Sequence, residues 1–161
     1  MRRDVAVTTL PLDEGDLRAL LQSACGDVGA VATFTGVVSG RGEQAGVSGL
    51  ELEHYPGMTE AALHRIVDDC ERRWPLQAAI VWHRVGLMSP GESIVFVGVA
   101  SRHRDAAFDA CRFIMDCLKT DAPFWKKEHT DQGGVWVSAR QSDTLAREKW
   151  NPSENTEGDT A

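Results

Sequence analysis

"SIVFVGVASRHRDAAFDACRFIMDCLKTDAPFWKKEHT" (residues 93–130) is the stretch that decides the fold of this chain. Residues 93–101 form the most apolar run and predict a central strand. Apolar residues then recur at helical spacing from about Arg104 to Lys119, so a long helix follows. Its predicted buried face consists of Ala107, Phe108, Cys111, Ile114, Met115 and Leu118. Pro123 ends the helix, and PFWKKEHT continues as a strand.

The rest of the sequence adds strands and helices around this unit. In chain order, the patterns predict a strand over 4–12, a helix over about 14–24, strands over 29–40 and 47–55, a helix over about 59–74, a strand over 78–86 and, after the turn DQGG, a strand in VWVSAR and a short helix over 143–150. Because strands and helices do not alternate strictly, we expect an α+β fold with helices on mixed or antiparallel sheets.

Length and composition indicate one ordinary globular domain. The chain has 161 residues, of which 42% are hydrophobic and 25% charged. We expect a single domain over 1–150 and a disordered acidic tail over 151–161. The net charge of −7 argues against a general nucleic-acid-binding protein. No apolar run approaches the roughly 20 residues of a membrane helix, and no signal peptide is recognisable, so we expect a cytoplasmic protein.

The cysteines and histidines indicate neither a metal site nor a nucleophile. Cys25, Cys70, Cys111 and Cys117 form no Cys-x-x-Cys pair, and the histidines lack metal-like spacing. Three of the four cysteines fall on predicted buried helix faces, where thiols are usually inert. We therefore expect free thiols, no metal and no other cofactor.

The segment SRHRD (101–105) is the first candidate site. It opens the long helix, where backbone N–H groups favour an anion, and Arg102, His103 and Arg104 add positive charge. The alternative is an ordinary helix boundary on the surface, with Ser101 as a plain cap. The segment alone leaves both interpretations open.

The segment LKTDAPFWKKEH (118–129) is the second candidate site. Lys119 leaves the end of the long helix, where a cation suits the helix dipole in any case. Lys126 lies beside Phe124 and Trp125, and burial of its ammonium group would lower the pKa of this lysine. The alternative is an edge strand whose outward lysines prevent aggregation. That alternative is favoured for Lys127 and remains open for Lys126.

The segment TFTGVVSGRG (33–42) is the third candidate. A strand that runs into a glycine-rich loop can approach a ligand closely, but the spacing is not that of a phosphate-binding loop. Alone, this segment does not identify a ligand.

Taken in order from about residue 29 to 150, several motifs resemble the family of the large, catalytic subunit of molybdopterin synthase. They are VATFTGVV, LELEHYPGMTE, RRWPL, HRVG, PGESIVFVGVASRHRDAAFDACRFIMDCLKTDAPFWKKE and WVSAR. The resemblance implies an α+β fold of the α/β-hammerhead type with an additional antiparallel β-sheet. It also implies a sulfurtransferase of molybdenum cofactor biosynthesis that forms the dithiolene of molybdopterin.

The same resemblance implies the partners. Two large subunits would form a homodimer within a heterotetramer. Each would bind a small ubiquitin-like sulfur carrier (MoaD-like) with a thiocarboxylated C-terminus. The sulfur would pass from the carrier to cyclic pyranopterin monophosphate, so no cysteine of this chain needs to act as a nucleophile.

The resemblance also implies site residues within one cationic cavity, built from both ends of the long helix and the strand after it. Lys119 matches the catalytic lysine near the carrier terminus, and Lys126 matches the second essential lysine. His103 and Arg104 match a pair that binds the anionic substrate, and Arg140 matches an arginine offered across the dimer. The full set of expected substrate-binding residues is Val37, Val38, Ser39, Arg41, His103, Arg104, Lys127, Glu128 and Arg140.

One position departs from the family. After FTGVV the family usually has arginine, whereas this chain has Ser39, with Arg41 two residues later in the glycine loop. A lost charge-assisted hydrogen bond is worth roughly 1.5–3 kcal/mol, which would weaken binding without abolishing catalysis. The alternative is a non-catalytic paralogue that dimerises and binds the carrier without turnover. A third interpretation, a small phosphate-binding domain of another pathway, holds only if the resemblance is accidental.

Overall fold

The computed structural model describes residues 1–23, 27–43, 46–138 and 140–151. Within these ranges the chain forms eight strands and four helices. In chain order they are β1 (Arg2–Thr8), α1 (Glu14–Gln22), β2 (Ala30–Val37), β3 (Gly49–His54), α2 (Met58–Arg73), β4 (Leu76–Arg84), β5 (Gly86–Met88), β6 (Ser93–Ser101), α3 (Arg104–Asp121), β7 (Phe124–Thr130), β8 (Gly133–Val137) and α4 (Gln141–Glu148). All predicted elements are present, and β5 is additional. Cys25 and the predicted tail from residue 152 onward lie outside the described residues.

The first sheet is mixed and has helices on both faces. Its strand order is β1-β4-β6-β2, with β1 parallel to β4 and the other pairs antiparallel. Alternate residues of β6 serve the two faces, because successive side chains of a strand point to opposite sides. Val97 and Val99 pack with α2 and α3, whereas Phe96 and Ala100 pack with α1. The apolar run at 93–101 is therefore an inner strand of this sheet, as predicted.

The second sheet is antiparallel and smaller. Its order is β5-β3-β7-β8, and its inner face contributes Leu50 and Leu52 to a separate core with Val38, Val85 and Met88. The α+β prediction with an additional antiparallel sheet is confirmed.

The motif HYPGMTE joins the two sheets at the start of α2. Gly57 has φ +84°, a conformation that side chains rarely adopt, and its N–H donates to Glu60 Oε2 at 2.7 Å. The Thr59 hydroxyl accepts from the Tyr55 N–H at 3.0 Å and donates to the Pro123 carbonyl at 2.9 Å. The end of β3 and the start of α2 are thereby fixed to the segment that enters β7.

The buried face of the long helix α3 differs from prediction at two phenylalanines. Phe108 is 68% exposed, whereas Phe113 is fully buried. Beyond α3, Trp150 follows α4 and packs edge-to-face on Trp74 and Phe113, with ring centroids 5.6 and 5.5 Å away. The Trp150 indole also donates to Asp116 Oδ2 at 2.8 Å, so the C-terminal end of α4 is attached to α3.

Candidate active site

A cavity of about 560 Å³ lies where the end of α3 meets β2, the second sheet and the start of α4. We call it the lysine cavity, because Lys119 and Lys126 both line it. Its apolar wall includes Leu50, Leu52, Ile94, Val95 and Phe124. The volume is in the usual range for a small-molecule site. The structure thus brings the two lysines together on one hollow, and their catalytic roles stay a prediction.

Each cation that lines the lysine cavity is paired with a carboxylate. Lys119 Nζ lies 3.3 Å from Asp143 Oδ1, and Lys126 Nζ lies 3.4 Å from Glu128 Oε1. Arg140 Nε lies 3.5 Å from Glu43 Oε1. The side chain of Lys119 is 52% exposed and that of Lys126 is 39% exposed, so neither ammonium group is shielded from water. Both lysines can therefore exchange their carboxylate partner for an incoming anion.

Glu128 lies behind the cavity wall and supports the glycine loop (residues 40–43). Its side chain is 2% exposed, and Oε1 accepts from the Glu43 N–H at 3.2 Å. A Cβ atom built on Gly42 would lie 2.6 Å from Glu128 Oε2, too close for any real contact. A side chain at position 42 would therefore force the loop or the Glu128 carboxylate to shift. A role of Glu128 toward substrate stays a prediction.

Of the four residues of segment 37–41 that were expected to bind substrate, only one lines the lysine cavity. Val37 lines the cavity, while Val38 is 3% exposed and belongs to the core of the second sheet. The Ser39 hydroxyl accepts from the Arg41 N–H at 3.1 Å and contacts the Arg41 carbonyl at 3.2 Å. Ser39 and Arg41 are both exposed, and neither lines the lysine cavity. Their expected contact with substrate stays a prediction.

His103 and Arg104 lie at the opposite end of α3 from Lys119. Fifteen residues of helix separate Arg104 from Lys119, a distance of about 22 Å along the axis. His103 lines a separate surface pocket with Arg102 and Asp27. The expected single cavity, built from both ends of α3, does not form within one chain.

Lys127 lies on the other face of β7. Lys126 pairs with Leu52, which lines the lysine cavity, whereas the Lys127 ammonium lies 5.3 Å from the Trp136 ring centroid. Side chains alternate along a strand, so Lys127 and Lys126 face opposite sides of the second sheet. Arg140 lines the cavity of its own chain.

His83, which was not among the predicted site residues, also lines the lysine cavity. It is 5% exposed, and its ring stacks on Phe124 with centroids 3.9 Å apart. Its Nδ1 atom lies 2.9 Å from the Arg84 carbonyl oxygen. Burial, with a smaller contribution from His54, lowers the pKa of His83 to about 4 against the opposing effect of this hydrogen bond. The imidazole is therefore neutral at pH 7.

The buried cysteines are unsuited to nucleophilic chemistry, as expected. Burial raises the pKa of Cys70 and of Cys117 to about 12 and that of Cys111 to about 11. Among the described residues, no group of His, Cys, Asp and Glu side chains could hold a metal ion. In the same part of the chain, no helix is both long and apolar enough to span a membrane.

Comparison with known proteins gives one consistent family. The family described as "MoaE protein" matches residues 7–121. The molybdopterin synthase catalytic subunit of Yersinia pestis is 56% identical over 128 residues, which cover 80% of this chain and 85% of that protein. The solved MoaE protein of Burkholderia ambifaria MC40-6 has a TM-score of 0.79 at 42% identity, over 93% of this chain and 98% of its own.

A more distant structure shares the fold alone. It is one chain of the protein-protein complex of subunits 1 and 2 of molybdopterin-converting factor from Helicobacter pylori 26695. Its TM-score is 0.69 at 18% identity, over 86% of this chain and 91% of that chain. Since the family match spans more than half of the chain and the curated relative exceeds half identity, this chain belongs to the MoaE protein family.

Proposed function

We propose that this chain is the catalytic subunit of molybdopterin synthase. It transfers sulfur from the thiocarboxylated C-terminus of a small ubiquitin-like carrier to cyclic pyranopterin monophosphate, and it acts in the cytoplasm. The name of the Yersinia pestis relative supports the activity. The single observation that carries the proposal is that Lys119 and Lys126 line one cavity of small-molecule size.

Lys119 is suited to the sulfur donor. Both the thiocarboxylate and the cyclic phosphate are anions, and the chain as a whole is acidic, so a local cation is needed to bring them together. The Lys119 ammonium neutralises the thiocarboxylate and stabilises charge that develops as sulfur attacks the pterin side chain. Lys126 holds the pterin substrate or assists proton transfer at the same cavity.

The surface beside Lys119 is suited to binding the carrier. A second hollow, lined by Phe34, Phe108 and Lys119, adjoins the lysine cavity. Phe34 is 42% exposed and Phe108 is 68% exposed, which is a large apolar surface for two neighbouring side chains. A carrier bound there places its C-terminal tail next to Lys119.

A homodimer would bring residues from the two ends of α3 to one site, although these ends lie far apart within one chain. Within one chain, the pair His103 and Arg104 lies about 22 Å along the helix from Lys119 and cannot hold the same small ligand. We propose that this pair serves the lysine cavity of a second copy within the heterotetramer. Arg104 is available for this role, since its side chain is 84% exposed and its ion pair is with the neighbouring, equally exposed Asp105.

A second candidate function is a non-catalytic paralogue that binds the carrier without turnover. Ser39 favours it, because a cation expected at this position is absent and Arg41 does not line the cavity. Both candidates predict assembly with the carrier. Only the first predicts product.

Reconstitution with purified thiocarboxylated carrier and cyclic pyranopterin monophosphate tests the proposal. We expect molybdopterin from the wild-type chain and none from Lys119→Ala, with carrier binding retained by gel filtration. Lys149→Ala is the matched control, because it removes one exposed lysine outside the cavity. Wild-type turnover by Lys119→Ala would defeat the assignment of that lysine, whereas carrier binding by wild type without product would identify the paralogue.

A further inference from the structure

His83 opens the motif HRVG, but neither the predicted site residues nor the proposed roles of the lysines give its buried imidazole a function. It lies on β4, at the wall of the lysine cavity, with its ring stacked on Phe124 at an interplanar angle of 22°. Phe124 and Lys126 are two residues apart on β7 and therefore share one face of that strand. His83, Phe124 and Lys126 thus belong to the same cavity.

The contact with Arg84 determines which ring nitrogen carries the proton. The carbonyl oxygen of Arg84 can only accept a hydrogen bond, so Nδ1 of His83 must donate across the 2.9 Å distance. In a neutral imidazole the other nitrogen, Nε2, is then an acceptor. Among the described residues, no protein group forms a hydrogen bond with Nε2. Since His83 lines the lysine cavity and its Nδ1 is occupied by the Arg84 carbonyl, Nε2 is the ring nitrogen left for a ligand.

We propose that His83 is a further substrate-binding residue of the lysine cavity, whose Nε2 accepts a hydrogen bond from an N–H or O–H group of the pterin ring system. This inference rests on the proposed function, since it names the part of the pterin substrate that this wall recognises. A buried acceptor of this kind discriminates strongly, because a ligand without the matching donor leaves it unpaired.

The charge distribution favours the ring system over the anionic groups at this position. Lys119, Lys126 and Arg140 provide the cations that a phosphate or thiocarboxylate requires. His83, held neutral by burial, offers only a lone pair, which repels an anion and attracts a donor. Leu50, Leu52 and Phe124 form the apolar wall around it, which suits a flat ring that carries N–H groups at its edge.

Two substitutions separate this role from a structural one. Asparagine at position 83 keeps a donor for the Arg84 carbonyl and removes the acceptor at Nε2. Glutamine places its carbonyl oxygen where Nε2 lies and weakens the contact with Arg84. If Nε2 binds the pterin, His83→Asn loses affinity and His83→Gln retains most of it. If only the hydrogen bond to Arg84 matters, His83→Gln loses more pterin affinity than His83→Asn.

The experiment measures the Kd of cyclic pyranopterin monophosphate and of the thiocarboxylated carrier by calorimetry, with kcat, KM and Tm for wild type, His83→Asn and His83→Gln. We expect His83→Asn to raise the pterin Kd about five- to ten-fold and KM in parallel, with the carrier Kd unchanged. His83→Gln should stay within about two-fold of wild type. The Tm values identify any variant that has lost its fold.

Other outcomes overturn the inference. Unchanged pterin affinity in His83→Asn, with wild type binding normally, overturns it and leaves the proposed function intact. Weaker carrier binding with unchanged pterin affinity shows instead that Nε2 accepts from the carrier tail. Absence of pterin binding to wild type overturns the proposed function and this inference together.

Discussion

Lys119 Nζ lies 3.3 Å from Asp143 Oδ1, and this ion pair joins the last turn of α3 to the first turn of α4. The same arrangement recurs at Lys126 with Glu128 and at Arg140 with Glu43. An anionic ligand must therefore compete with carboxylates of the protein for all three cations that line the lysine cavity. Affinity at this site reflects an exchange of partners rather than the neutralisation of unpaired charges.

Replacing Asp143 with asparagine removes the competitor at Lys119. We expect the thiocarboxylated carrier to bind about two- to five-fold more tightly, the range typical of an exposed ion pair. The gain should shrink at high salt, because exposed charges are screened. Calorimetry at low and high ionic strength measures both effects. Asp131→Asn, in the turn between β7 and β8, is the control for net charge. Weaker carrier binding by Asp143→Asn would show that Asp143 orients Lys119 instead of competing for it.

Ser39→Arg introduces the residue type that the resemblance leads us to expect after FTGVV. If the glycine loop carries this arginine to the cavity, the pterin Kd should fall about ten-fold, as expected for one charge-assisted hydrogen bond. Ser39→Ala is the control, because it removes the hydroxyl contacts with Arg41 without adding charge. Equal pterin affinity in wild type and Ser39→Arg would mean that position 39 does not reach the ligand.

Gly42→Ala should destabilise the glycine loop, because the added Cβ would overlap the buried Glu128 carboxylate. We expect a loss of about 1–3 kcal/mol in the free energy of unfolding, as for other overpacked sites. Gly40→Ala is the matched control, since its Cβ would meet only Pro90 Cβ at 3.8 Å, an ordinary contact. Urea denaturation compares the two variants. Equal losses in both would rule out a special close approach at residue 42.

Acid should destabilise the protein through His83. The pKa of this group is about 4 in the folded chain and near 6.5 in an unfolded chain, so the unfolded state binds more protons between these values. Stability from this group is complete above pH 6.5 and is lost as the pH falls to about 4, by about 3 kcal/mol in total.

Unfolding of wild type and His83→Gln at pH 7.5 and pH 4 measures this effect. The other titrating groups are common to both chains, so the difference between the two free energies isolates His83. We expect the stability of wild type relative to His83→Gln to be lower at pH 4 than at pH 7.5. Parallel pH profiles would mean that His83 is as easily protonated in the folded chain as in the unfolded one.

The fold was largely predictable because the patterns that define it are local. The apolar run at 93–101 matches the bounds of β6. The helix predicted from about residue 14 is α1, and it begins after its cap Asp13, whose Oδ1 atom accepts from the Asp16 N–H at 3.0 Å. β5 was missed because it has three residues, and only its pairing with β3 makes it a strand. No periodicity can be recognised in so short a segment.

The error at Phe108 has a geometric cause. Ala107, Cys111, Ile114 and Leu118 are spaced by four, three and four residues, and all are buried. Phe108 follows Ala107 by one position and is therefore rotated about 100° away from this stripe. An apolar residue adjacent to a buried stripe need not belong to it.

The candidate site was predictable in part. The resemblance placed Lys119 and Lys126 together, and the structure shows them on one cavity. The length of the predicted helix already implied that Arg104 and Lys119 lie far apart, and strand alternation already implied that Lys126 and Lys127 face opposite sides. His83 belongs to the motif HRVG, but no local pattern predicted its place at the cavity, because its position beside Phe124 depends on how two different sheets meet.

The turn at Gly57 has a consequence for recognising enzymes among related sequences. Its positive φ, the Glu60 carboxylate and the Thr59 hydroxyl build a junction between two sheets, and none of the three residues lines the lysine cavity. A descendant that had lost all turnover would still need this junction in order to fold. HYPGMTE therefore marks the fold, whereas the proposed catalytic lysines at positions 119 and 126 are the residues by which a genome survey would select candidate enzymes.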